Sequence, residues 1–346
     1  MKIFLIVLVI ILAIAIVSVV YPIISGRPAG EKQPSGTSLY KSGDGGATWQ
    51  NVTSFPGGAV TVLRFDAENP EYLLTGTIGR GIWRGKRNGE EWKQYPLSLG
   101  EGAKIFDILE PASDKDLTAL VFYSGRGRVI QQRGETREEL LFTPAERYAF
   151  FQGSASRDKK LLRVIGSDGG LYESRDGGKT WEVLSRFQEG LSLFEPNPSR
   201  DLQMWVIDTK GDLFRSDNGG RDWADLRDGL NEFSGAKNAR MLFFDPTSNT
   251  LYHASSFGLL RSPDLGKTWE IVKTTISPEL LPVTAVAVEP GNPKKIFAGA
   301  GGQLYISENR GITWRGTRVA SAEISRILID PKNSKNIFLG LAETAR

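Results

Sequence analysis

The chain has 346 residues, 24% of them charged and 40% hydrophobic, enough for one large domain or two ordinary ones. Its 43 Lys and Arg against 40 Asp and Glu leave a net charge of +3, a balance that gives no reason to expect nucleic acid as a partner. There is no cysteine and a single histidine, His253. That excludes disulfides, thiolate metal sites and a lipid-attachment cysteine, and leaves almost no room for a His-built metal site or a Ser-His-Asp triad. No cofactor and no metal is expected.

Residues 1–25 form the first element. Lys2 is followed by an apolar run to Val20, broken only by Ser18 and resuming through Ile23 and Ile24. A helix of that length can span the roughly 30 Å of bilayer hydrocarbon. A cleavable signal usually has a core of about 7–15 residues and a small-x-small cleavage site. An uncleaved single-pass anchor is therefore the first expectation and a cleaved, secreted form the second. Lys2 inside puts the rest of the chain on the extracytoplasmic side. Residues 26–37, rich in Gly, Pro and polar side chains, read as a flexible tether.

From residue 38 onward one motif recurs, Ser-x-Asp-x-Gly-x-Thr-Trp. It runs as Ser42, Asp44, Gly46 and Trp49; as Ser174, Asp176, Gly178 and Trp181; and as Ser216, Asn218, Gly220 and Trp223. Two more copies are Ser262, Asp264, Gly266 and Trp269, then Ser307, Asn309, Gly311 and Trp314. A degenerate copy keeps Gly89 and Trp92, and a seventh slot, residues 130–137, keeps only Gly134. Successive slots lie 42–46 residues apart. A second motif keeps step with the first: an apolar β-branched stretch ending in an acid, at Asp66, Glu110, Glu195, Asp245, Glu289 and Asp330, with Gln152 in the remaining slot. Each unit then holds four short strands, A to D, the size of one propeller blade. In the box, the acid accepts hydrogen bonds from its own turn, the glycine takes positive φ, and the tryptophan packs over the C–D hairpin. These residues are expected to be structural. The domain starts with strands C and D (residues 38–52) and ends with A and B (325–342), so the termini are expected to complete one shared blade. The fold class read from this is all-β: a seven-bladed β-propeller over residues 38–346, preceded by one N-terminal transmembrane helix.

The repeat resembles the BNR/Asp-box superfamily, whose members include bacterial sialidases, xyloglucan-cleaving glycosidases, the sortilin ectodomain and photosystem II assembly factors. The resemblance covers residues 38–346. No Arg-Ile-Pro precedes the first box, as it does in sialidases, and a single seven-slot ring is most similar to the photosystem assembly-factor group and its exported bacterial relatives. The resemblance implies a protein-binding or assembly role, because the box itself is not a catalytic motif in the superfamily.

Propellers bind partners mainly on the face carrying the B–C and D–A loops. On that face the chain offers scattered acids (Glu101, Asp107, Glu189, Asp208, Glu232, Glu279, Glu323) and no motif that singles out a glycosidase pair. It also offers bases. Arg147 and Arg240 each stand five residues before the acid slot of their blades, with Arg326 one position later and Arg64 further along its strand. Arg80, Arg126, Arg128 and Lys210 fall at B–C turns. Together these eight form an expected positive rim for partner carboxylates. Phe233, Leu280 and Leu281 are candidate apolar anchors, and His253 reads as a satisfied strand residue. The leading expectation is a monomeric, non-catalytic scaffold that docks a protein. The alternative is a carbohydrate-active protein, hydrolytic or glycan-binding.

Overall fold

The computed structural model describes residues 38–342, apart from 96, 98, 100–101, 110–111, 114, 144 and 274–281. The expected membrane span and tether lie outside the described residues, and so do Glu101, Glu110, Glu279, Leu280 and Leu281. Among the described residues no helix is long and apolar enough to cross a membrane.

Seven four-stranded antiparallel sheets make seven blades. Blade 1 begins at Val60–Phe65, blade 2 at Lys104–Leu109, blade 3 at Phe150–Ala155 and blade 4 at Leu191–Pro196. Blade 5 begins at Ala239–Asp245, blade 6 at Ala285–Glu289 and blade 7 at Ile324–Ile329. Blade 7 is shared between the chain ends: Ile337–Leu341 pairs antiparallel with Leu39–Ser42, in register from Leu39 opposite Gly340 to Ser42 opposite Ile337. A strand from each end thus removes the open edge that a linear array would keep.

Burial follows position in the blade. Four of the seven second strands, Leu162–Gly166, Met204–Asp208, Thr250–Ser255 and Ile337–Leu341, are buried at every residue, and the other three are buried over most of their length. They are sandwiched between neighbouring blades, which explains their near-continuous apolar sequence. Most outermost strands are two exposed residues, as at Gln50–Asn51, Ala224–Asp225 and Glu270–Ile271.

The innermost strands have one edge with no sheet partner, and every adjacent pair of them is joined by a side chain instead. Thr61 Oγ donates to the Ile105 carbonyl at 2.6 Å, Thr284 Oγ to Ile324 at 2.7 Å and Ser325 Oγ to Val60 at 2.8 Å. In the other four interfaces a side chain accepts from the next blade's backbone. Gly153 N–H donates to Asp107 (3.1 Å), Phe194 N–H to Gln152 (2.8 Å), Phe244 N–H to Glu195 (2.9 Å), and Val286 N–H to Met241 sulfur (3.3 Å). Backbone groups that would otherwise sit unpaired in the channel are satisfied this way.

The Asp boxes close the C–D hairpins by local hydrogen bonds. In the box at 174–181, Gly178 N–H donates to Ser174 Oγ at 2.8 Å, and Thr180 N–H and hydroxyl donate to Asp176 at 2.9 and 2.6 Å. The serine bond recurs at Gly46, Gly220, Gly266 and Gly311, at 2.7–2.9 Å. Trp181 Nε1 returns to the Gly178 carbonyl at 3.0 Å, and Trp92, Trp223 and Trp314 do the same in their own turns. Gly178 has φ +93°, and a Cβ there would lie 2.3 Å from Leu140 of the preceding blade. The turn requires the glycine, and a side chain there would also displace the Leu140 side chain packed between the blades. Blade 2 has no box. Its hairpin is the two-residue turn Gly134–Glu135, with Gly134 at φ +58°, the position that a type II′ turn reserves for glycine.

Candidate protein-docking face and channel

The eight expected rim bases separate into three groups. Arg147 and Arg240 are exposed, and neither makes an ion pair among the described residues. Arg80 is half-buried in the turn between the second and third strands of blade 1, where its carbonyl accepts from Trp83 and Gln94. Arg80 and Arg147 lie in loops of this face, and Arg240 is the second residue of the innermost strand Ala239–Asp245, exposed at its loop-face end.

The second group is already engaged. Lys210 pairs with Glu189. Arg128 is not in a turn but inside the strand Arg126–Arg133; it pairs with Glu139 at 3.0 Å and stacks 4.1 Å over Tyr123. Arg126 belongs to the same strand, the turn itself being Ser124–Gly125, and its guanidinium lies 5.9 Å from the Phe142 ring. Next to Lys210, Asp212 is held by Lys237 at 2.9 Å, and across blade 3 Asp168 is held by Arg186 at 3.2 Å. That side of the rim is neutralised rather than positive.

The third group is in the channel. Arg64 and Arg326 are on innermost strands, Val60–Phe65 and Ile324–Ile329, and do not reach the rim. Arg64 Nη2 bonds Asp107 Oδ1 at 3.0 Å, and Arg326 donates to the Ser325 carbonyl at 2.7 Å. Burial holds the Arg326 guanidinium below its ordinary pKa, with Asp107 opposing that shift. Glu195 completes the group. Burial pushes its carboxyl up to about 8, against the Phe244 N–H and the nearby Arg64, which favour the charged form.

Glu195 is a correction to the motif reading. The turn acid of blade 4 is replaced by Asn197, whose Oδ1 accepts the Ser199 N–H as Asp66 accepts those of Glu68 and Asn69. Register fixes the equivalence, since Pro196 faces Met204 as Phe65 faces Leu73. Glu195 thus matches Arg64, a channel position. In blade 3 the turn slot is Ser156, which accepts the Leu161 N–H, not Gln152. Arg147 therefore stands nine residues before its slot and Arg240 five before Asp245, and the two are not equivalent as the spacing suggested. His253 is buried, its Nε2 lies 2.8 Å from the Ala236 carbonyl, and burial lowers its pKa to about 4. It is neutral at pH 7 and closed to any ligand.

The family model for the BNR/Asp-box repeat matches residues 172–183, the strand and turn that carry the box described above. The chain is a seven-bladed β-propeller that carries a BNR/Asp-box repeat. Among curated relatives of the BNR propeller, photosystem II assembly protein Ycf48 of Synechococcus sp. (strain JA-3-3Ab) is 27% identical over 210 residues, 55% of this chain and 56% of that protein. Its counterpart in strain JA-2-3B'a(2-13) is 24% identical over 208 residues, again 55% and 56%. The chain spans about half the length of these curated relatives. Among solved structures, YCF48 bound to a D1 peptide superposes with a TM-score of 0.66 at 13% identity, covering 92% of this chain and 100% of that one. YCF48 from Cyanidioschyzon merolae gives 0.67 at 13%, covering 85% and 99%. The GH74 xyloglucanase of Xanthomonas campestris gives 0.66 at 17%, covering 85% of this chain and 52% of that one. At these identities the structural likeness shows the fold alone.

Proposed function

We propose that this BNR propeller is a non-catalytic scaffold that docks a protein partner on its loop face. In this proposal it works as a monomer, held on the extracytoplasmic side of the membrane by residues 1–25. The observation that carries the reading is the pair Arg147 and Arg240, exposed on the loop face and without an ion pair among the described residues, beside a sector whose other charges are matched. Unmatched guanidiniums on a rigid rim are suited to fork onto partner carboxylates. The similar YCF48 structure with a bound D1 peptide supports a protein segment as ligand for this fold.

The likeness to GH74 propellers favours a second reading, a carbohydrate-active protein. Glycosidases need two carboxyls flanking an open cleft. Here the channel acids are occupied: Asp107 accepts from Arg64, Ile108 N–H and Gly153 N–H, and Glu195 from Phe244 N–H. This engagement weighs against them as catalytic groups.

The test is the double variant Arg147→Glu, Arg240→Glu in crosslinked membranes. Co-purification of the wild-type partner is expected to be lost, with the melting temperature unchanged because both side chains are exposed. Retained co-purification would sink the docking reading, and release of sugars from xyloglucan by the wild type would favour the second one.

A further inference from the structure

The outermost strand of blade 2, Thr136–Phe142, is unlike the others. It is seven residues long, whereas the other six described outer strands have two to five. The cause is the missing box: without a tryptophan and a wide turn at the hairpin, the two-residue Gly134–Glu135 connection sends the strand back along its partner, in register from Thr136 to Glu139 and, after a one-residue bulge at Leu140, from Leu141 to Phe142. Residues 136–139 are exposed. Across a two-residue turn the closing pair Arg133–Thr136 is the hydrogen-bonded one, so backbone groups alternate and the Arg137 and Glu139 N–H groups point away from the sheet. A row of outward donors and acceptors is a template for another strand. At its far end lie Phe142, 53% exposed, and Tyr148, 40% exposed, beside Arg126 and the unmatched Arg147.

We propose that this edge pairs with an extended segment of a partner protein. That segment would carry an acidic residue at the Phe142 end and a basic residue opposite Glu138. The charges on the strand argue for selectivity. Arg137, Glu138 and Glu139 discourage indiscriminate pairing, as charged edges do. They also disfavour a second copy of this chain, because full antiparallel self-pairing centres on Glu139 and sets it opposite its own copy. The inference rests on the protein-binding reading but uses the blade's side rather than the rim.

The probe is an acetylated heptapeptide, Glu-Phe-Thr-Val-Lys-Val-Thr, titrated into the full chain in detergent micelles. Binding is expected to slow hydrogen exchange at the Glu139 amide. A peptide with Glu and Lys exchanged should bind at least about tenfold more weakly, the equivalent of about 1.4 kcal/mol. Proline is tolerated where an edge N–H faces solvent, so Glu139→Pro should fold and lose binding, whereas Glu139→Ala should bind as the wild type does. Equal binding by the charge-swapped peptide, by Glu139→Pro, or without slowed exchange overturns the proposal. Sedimentation showing a dimer that Glu139→Pro dissolves assigns the edge to self-pairing and overturns it too. Either result leaves the co-purification test of Arg147 and Arg240 standing separately.

Discussion

Each Asp box concentrates several small effects within eight residues. The Thr180 hydroxyl and N–H on Asp176 hold its carboxyl down at about 2, and Ser174 accepts the buried Gly178 N–H. The tryptophans differ in how much they contribute. Trp269 is 7% exposed and packs 5.7 Å from the His253 ring, whereas Trp181 is half-buried. Trp269→Ala is expected to cost roughly 3–5 kcal/mol, the range for emptying a buried aromatic site, and Trp181→Ala clearly less. Urea unfolding of both variants measures the difference, and equal losses would contradict the burial argument. The box could be read from sequence because all its donors and acceptors lie within one turn. Glu195 could not. An acid followed by Pro and Asn looks like the turn acids elsewhere, but the pairing of Pro196 with Met204 decides which polar residue reaches the turn. That register is a tertiary fact.

The innermost strand is both a channel wall and the joint between blades. Six of the seven carry a bulge near their start, and three of the latching side chains, Asp107, Gln152 and Met241, stand directly after one. Bulges re-aim side chains in this way, and no sequence pattern announces them here. That is why Arg64 and Arg326 were placed on the rim by spacing, whereas the structure puts them inside. Glu195 gives the element a pH dependence. Its carboxyl is neutral in the folded chain up to about pH 8, while in the unfolded chain it ionises near the ordinary glutamate value of 4.5. The unfolded state therefore holds fewer protons across that window, and stability falls as pH rises from about 4.5 to 8. Glu195→Gln is expected to flatten this slope, raising the melting temperature at pH 8 relative to the wild type while changing little at pH 4. An unchanged slope would mean that the channel keeps the carboxyl ionised.

At the scale of the ring, stability depends on closure. The Leu39–Ser42 and Ile337–Leu341 pairing is the only described ladder joining the two ends of the chain, and Arg87 of blade 1 reaches Asp330 across the adjoining interface. Removing the propeller segment 38–52 should leave Ile337–Leu341 as a bare buried edge. The expected result is loss of the single cooperative thermal transition, checked by calorimetry; a sharp transition at the wild-type temperature would show that six blades and a half suffice. The seven-fold count and the shared blade were legible in the sequence, because the spacing of the boxes and the complementary end fragments are chain-order properties. The long bare edge of blade 2 was visible only as an absent motif, and its meaning came from the geometry of the hairpin that replaced it.

Closure by both ends also sets an order in time. Leu39–Ser42 is translated nearly 300 residues before its ladder partner Ile337–Leu341. At about 5–20 residues per second the wait is roughly 15–60 s. Throughout it the early strand has a buried-type apolar face and no neighbour on one side, so a nascent ring is most open to mispairing or chaperone capture at the seam that later closes it.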